Sequence, residues 1–236
     1  EALERVVADN LGQIAGFISS PCHHPIFTDN ELPAPHYWER VEALLRANGI
    51  VFIIDDVRAG FRLHMGGSCE HYGFRPDLIC FCKAIGNGYP ISALVGGDAL
   101  RGDVSKVFHT GSYWYGAGPM AAALANLQEL RRINGPRLLR ETGELLAAGM
   151  VDAARSNGFD LRISGEPSML YARITDDPTL EMQQRWCGEC ARRGVFLTSH
   201  HNWFVSTAHT RKDIEDTVAV CDEAFKAVRA HYGSGI

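Results

Sequence analysis

No apolar run in this chain approaches the roughly 18 residues that a membrane-spanning helix needs. No N-terminal segment has the charged-then-apolar pattern of a secretory signal. A basic stripe is missing too: 23 Lys and Arg stand against 28 Asp and Glu, a formal net charge of −5. A nucleic-acid partner calls for clustered positive charge, so none is expected, and no membrane partner either. Repeats and low-complexity tracts are absent. The seven cysteines are an odd number, and most lie in apolar contexts such as Cys80 and Cys82. That pattern fits a reducing compartment, and a cytoplasmic location is expected. Metal-ligand spacing is equally thin. Cys187-Gly-Glu-Cys190 is a lone Cys-x-x-Cys on a helical stretch, and zinc would need two more ligands. Cys22-His23-His24 and His200-His201 could offer them only by accident of folding, so no metal is expected.

What the chain does have is a globular composition, with 46% hydrophobic residues and an alternation of strand and helix. Strands are predicted at Gln13–Ser19, around Ile50–Ile54, at Leu78–Phe81 and at Ser92–Val95. A helix with Trp38, Val41, Leu44 and Leu45 on one face is predicted over His36–Ala47. Alternation of this kind implies a mostly parallel sheet. Helices follow over Pro119–Arg132 and Pro136–Asn157, separated by Asn134-Gly135, which suggests domains at 1–135 and 136–236. The second part reads as α+β. Strands are expected near Leu161–Ile163, Met169–Ile174, Val195–Leu197 and Trp203–Ser206, and a helix over Pro178–Arg193. Thr210 and Asp213 are spaced as a capping box for a last helix. Ile214, Val218, Cys221, Phe225 and Val228 form the apolar stripe of that helix.

Two residues carry chemistry. Lys83 follows a hydrophobic strand and precedes Gly86-Asn87-Gly88, a site where an amine could be desolvated and used as a nucleophile toward a carbonyl. Taken alone, a strand-end lysine that snorkels to water is the commoner case. Asp55 closes the strand Ile50-Val-Phe-Ile-Ile, at the carboxyl end where open α/β sheets bind ligands. A loop cap is the ordinary alternative for a lone Asp there.

Together the segments Phe52-Ile-Ile-Asp-Asp-Val-Arg-Ala-Gly-Phe-Arg62, Tyr72-Gly-Phe-Arg-Pro-Asp-Leu78, Lys83-Ala-Ile-Gly-Asn-Gly-Tyr-Pro90 and Phe204-Val-Ser-Thr-Ala-His-Thr210 resemble the class III pyridoxal-phosphate (PLP) aminotransferases. Within them the chain is similar to the glutamate-1-semialdehyde aminomutases. The resemblance implies a fold-type-I PLP-dependent transferase, α/β in class, with part of the large domain and a small C-terminal domain. It implies amino-group transfer through a Schiff base on Lys83, which also serves as general acid and base. Such an amine must be neutral near pH 7, so burial of Lys83 is expected to depress its pKa from the usual value of about 10.4. Asp55 would keep the cofactor ring nitrogen protonated, and Val57 would pack on the ring. In the family a Gly-Thr pair serves the phosphate held by the neighbouring subunit. Here Thr110 and Ser112 flank Gly111 in a longer, more aromatic loop, and either hydroxyl could do so. Asp56 stands where relatives usually have Glu, a change that could alter a contact to the ring hydroxyl or to a neighbour, and it is kept outside the catalytic set.

Members of that family are considerably longer than 236 residues. The opening Glu1-Ala-Leu-Glu-Arg-Val-Val-Ala resembles a helix midway through the large domain. The Ser/Gly-Thr-Glu-Ala segment that cradles the phosphate is not found. The chain is therefore expected to be the C-terminal half of a homodimeric enzyme acting on a small amino, keto or aldehyde substrate, with a separate N-terminal half as a possible partner. The alternative is a non-catalytic dimerisation or regulatory module that keeps the fold.

Overall fold

The structure is a computed structural model, and it describes residues 1–25, 27–112 and 116–233. The chain forms two compact units, Glu1–Pro21 with Pro33–Pro136, and Cys22–Leu32 with Arg137–Ile236.

The first unit is built on a four-stranded sheet in the order β1-β2-β3-β4. Its strands are β1 (Gly16–Ser19), β2 (Val51–Asp55), β3 (Leu78–Phe81) and β4 (Ala93–Gly96). The first three run parallel and β4 runs antiparallel to β3. The helices are α1 (Ala2–Asp9), α2 (Tyr37–Ala47), the short α3 (Ser68–Tyr72) and α4 (Arg101–Val104), and α5 (Ala117–Arg132). Side chains alternate across a strand, and β2 buries Phe52 and Ile54 while Val51, Ile53 and Asp55 stay half-buried. Phe52 and Ile54 join Trp38, Leu45 and Phe74 in one cluster. Phe52, Trp38 and Phe74 lie 4.7–5.8 Å apart, ring centre to ring centre. Phe81, Phe61, Ile85 and Ala123 form a second cluster, with Leu127 and Leu130 of α5 against it.

The second unit has a β-hairpin and three helices: α6 (Gly135–Ser156), β5 (Leu161–Ser164), β6 (Tyr171–Ile174), α7 (Glu181–Arg192) and α8 (Arg211–Tyr232). Its core is continuous through Met150, Ala154, Tyr171-flanking Leu170 and Ala172, Trp186, Cys190, Cys221, Phe225 and Val228. The Thr210–Asp213 capping box is present. The segment Cys22–Leu32 packs here through Asp29, whose carboxylate accepts from Arg173 Nε at 3.0 Å and Nη2 at 3.1 Å.

Two predicted strands are absent. Val195–Leu197 and Trp203–Ser206 are irregular. Val195 N–H is used to close α7 on Cys190 O. Trp203 and Val205 each donate one backbone bond, to Leu170 and Ser168, so neither segment builds a ladder. α5 begins at Ala117, two residues before Pro119. The proline still falls in the first turn, where its missing N–H costs no helical bond. Among the described residues, no helix is long and apolar enough to cross a membrane.

Candidate active site

β2 and β3 are paired in register, Asp55 opposite Cys80. Lys83 follows that partner by three residues, so Asp55 and Lys83 emerge at the same carboxyl end of adjacent parallel strands. This is where open α/β sheets present ligand-binding groups.

Asp55 is half-buried, and its Oδ1 accepts from Val57 N–H at 3.2 Å. The local cap and the functional role are therefore compatible, since the cap uses only one carboxylate oxygen. The next acid behaves differently. Asp56 is 1% exposed, and its Oδ2 accepts from Ser68 N–H at 2.8 Å, at the start of α3. Its backbone carbonyl accepts from Gly60 N–H at 2.8 Å. Burial, chiefly, pushes the Asp56 carboxyl above the usual carboxylate range. Asp56 thus pins the loop after β2 from the inside and is not aimed at the strand end. Gly60 and Gly67 permit this closure. A Cβ on Gly60 would sit 2.6 Å from Phe81, and Gly67 has φ +94° with its Cβ direction 2.8 Å from Asp56 Oδ2.

Lys83 opens a three-residue 3₁₀ turn, Lys83–Ile85. Its φ is +48°, a left-handed conformation that costs a non-glycine residue about 1–3 kcal/mol and tends to persist where surrounding contacts over-determine it. The expected burial of Lys83 is not what the structure shows: its side chain is exposed. β3 ends at Phe81, so the lysine lies beyond the sheet, where neither face covers it. Its charge environment is nevertheless distinctive. Lys106, Lys212 and Lys226 each bond a carboxylate at 2.7–2.9 Å. Among the described residues, no carboxylate pairs with Lys83.

Beside this turn lies a cavity of about 870 Å³, lined by Cys82, Ile91, Leu94, His109, Ser112 and Met120 among others. That is within the size range of small-molecule sites. Ser112 and Gly111 border it, and Thr110 and Ser112 are both exposed. Asp55, Val57, Lys83 and Thr110 are not among its lining residues. The strand-end pair and the hydroxyl loop are thus separate features of the first unit. The aromatic stretch 113–115 of that loop lies outside the described residues.

One residue escaped sequence reasoning. Asn126 of α5 donates its side-chain amide to Ala84 O at 2.7 Å and Ile85 O at 3.2 Å. The available signal was a polar residue set on the apolar face formed by Ala123, Leu127 and Leu130.

Against this geometry the relatives are informative. Residues 1–224 match the family model of class-III aminotransferases. The chain belongs to the class-III aminotransferase family. It is 35% identical over 223 residues to the aminopentol aminotransferase of Sphingopyxis macrogoltabida, covering 94% of this chain and 53% of that protein. It is 32% identical over 213 residues to the glutamate-1-semialdehyde 2,1-aminomutase of Heliobacterium modesticaldum, with 84% and 49% covered. A solved structure, the PLP internal aldimine form of the FumI protein of Sphingopyxis sp. MTA144, superposes with a TM-score of 0.95 at 34% identity. That match covers 98% of this chain and 56% of FumI. The fold is therefore that of the PLP-dependent transaminases, and the chain spans about half the length of the curated relatives it matches.

Proposed function

We propose that this chain is the lysine-bearing half of a PLP-dependent enzyme that moves an amino group, either between two small molecules or within one. The observation that carries this reading is the strand-end pair. Asp55 and Lys83 lie at one end of two registered parallel strands, and Lys83 is left without a carboxylate partner among the described residues.

The donor set suits the cofactor: an amine for its aldehyde, a carboxylate for its ring nitrogen and hydroxyls for a phosphate. When bound, pyridoxal phosphate supplies an electron sink for charge developing at the substrate carbon. Lys83 Nζ would hold the cofactor through its aldehyde, and as a free amine it would serve as the general base and acid. The Asp55 carboxylate would favour a proton on the ring nitrogen by charge attraction. Val57 offers an apolar contact to the ring. Thr110 or Ser112 offers a hydroxyl to a phosphate held by a second copy, in a homodimer. The seven free cysteines suit a reducing compartment such as the cytoplasm.

The active assembly also contains a complementary half. The open edges β1 (Gly-Phe-Ile-Ser) and β4 (Ala-Leu-Val-Gly) carry no charged residue and no Pro, the usual devices that protect a sheet edge. Ile18, Leu94 and Val95 are exposed there. The relatives' additional length supports the same reading.

The test is to combine this chain with the part of the aminopentol aminotransferase that it does not match, add pyridoxal phosphate and reduce with borohydride. A visible Schiff-base band, bleached on reduction and leaving the label on the Lys83 peptide, is expected. Lys83→Ala should lose both band and label. A wild-type assembly with no band, or a band that survives Lys83→Ala, would sink the proposal.

A further inference from the structure

Asn126 is the one polar side chain of α5 that reaches the lysine turn, and it does so with a single amide group bridging two consecutive carbonyls, Ala84 O and Ile85 O. Those carbonyls need an outside donor. Within the turn Ile85 N–H goes to Cys82 O, and the Gly86 and Asn87 N–H groups both go to Lys83 O. Among the described residues, no backbone N–H serves Ala84 O or Ile85 O. Half-buried carbonyls of this kind are costly to leave unserved. The residue they follow, Lys83, holds a left-handed φ of +48°, which a free chain would relax. On either side of Asn126, Ala123, Leu127 and Leu130 pack against the cluster of Ile85, Phe81 and Phe61. The helix is thus anchored to the same strand end by apolar contacts, and the amide adds direction.

We infer that Asn126 is a positioning residue for Lys83. It braces the carbonyls of the turn so that the lysine keeps its left-handed backbone and its amine leaves the strand end in one fixed direction. Asn126 touches no reacting atom and acts through the turn alone. The inference rests on the reading of Lys83 as the cofactor-bearing amine.

Labelling of all four lysines by pyridoxal phosphate and borohydride, mapped by peptide mass spectrometry in the reconstituted assembly, tests it. Lys106, Lys212 and Lys226 are internal standards. Asn126→Asp puts a carboxylate against two carbonyls, and Asn126→Ala removes the donor. Either change should lower the Lys83 labelling rate about tenfold relative to Lys106, as expected for the loss of two hydrogen bonds. The pH of half-maximal Lys83 labelling should move as well, while Lys212 and Lys226 label as before. A purely structural role would lower the melting temperature without moving that pH. Both variants labelling Lys83 at the wild-type rate and pH would overturn the inference. If the variants do not fold, hydrogen exchange of the wild-type assembly decides. Slow exchange at Gly86 and Asn87 supports the brace, and exchange as fast as at the exposed loop residue Gly111 overturns it. Wild-type label no greater on Lys83 than on Lys106 would instead remove the cofactor assignment underneath.

Discussion

The two units differ in how far each completes itself. The second unit has one continuous core, and among the described residues its buried polar side chains are matched except for Ser168 Oγ. Gln183, fully buried, accepts from Ile174 N–H at 2.8 Å and donates to Ala172 O and Ser199 O at 2.5 and 3.1 Å. The first unit divides its apolar residues between two smaller clusters. It leaves Ile18 at 61% and Leu94 at 50% exposure on its open sheet edges, while Phe196 and Phe27 of the second unit are exposed on irregular segments. Among the described residues of the first unit, Asp56 Oδ1 and Ser68 Oγ are buried without a hydrogen-bond partner. The candidate catalytic residues all belong to this less finished unit. The difference lies in the divided core and open apolar sheet edges of the first unit, not in exposed apolar side chains as such.

The contrast is broken most directly in the cores. Phe225 is fully buried, with its ring 4.7 Å from Trp186 and 5.2 Å from Phe159. Phe225→Ala should cost about 3–5 kcal/mol in urea unfolding. Met120→Ala, on the exposed side of α5, should cost about 0.5 kcal/mol or less. Equal costs would mean that Met120 is packed as closely as Phe225.

The next effect is one of opposite signs with pH. The Arg173 guanidinium, hydrogen-bonded to Asp29, holds that carboxyl below its usual range. A lowered folded pKa gives stability that is present above the unfolded pKa and lost as pH falls through the folded one. Asp56 is raised by burial, so its contribution is present below the unfolded pKa and lost as pH rises through the folded one. Asp29→Asn should therefore cost roughly 1.5–3 kcal/mol at pH 7, with the difference from wild type shrinking in acid. Asp56→Asn keeps an acceptor for Ser68 N–H. It should gain on the wild type as pH rises from about 4 toward neutrality. Urea midpoints between pH 3 and 7 measure both, and parallel curves for the two variants would refute the opposition.

The smallest effect concerns a device internal to the second unit. Thr210 Oγ1 accepts from Asp213 N–H at 3.2 Å, and Asp213 Oδ2 accepts from Thr210 N–H at 2.7 Å. Thr210→Ala should cost about 1 kcal/mol, seen as a lower urea midpoint with unchanged slope. An unchanged midpoint would show that α8 is held by packing alone.

Local features were legible in the amino-acid order. β3 falls where its hydrophobic run predicts, and the capping box and apolar stripe of α8 are as spaced. The strands expected at Val195–Leu197 and Trp203–Ser206 failed because their alternating apolar residues serve the core as loop side chains. Apolar alternation reports burial, and it cannot report whether a ladder partner exists. The burial expected of Lys83 failed for a related reason, since a residue's place after a buried strand does not say what covers it.

Residue order by itself determined the strand–helix alternation, the helix caps and the chemistry available in Asp55 and Lys83, because each depends on residues close together in the chain. Tertiary structure alone decided that Asp55 pairs with Cys80 and so shares an end with Lys83. It also decided that Asp56 turns inward to α3, that Cys22–Leu32 packs with the second unit, and that Asn126 reaches the lysine turn from a helix 42 positions away. Such contacts join distant residues through register and packing, which no local pattern encodes.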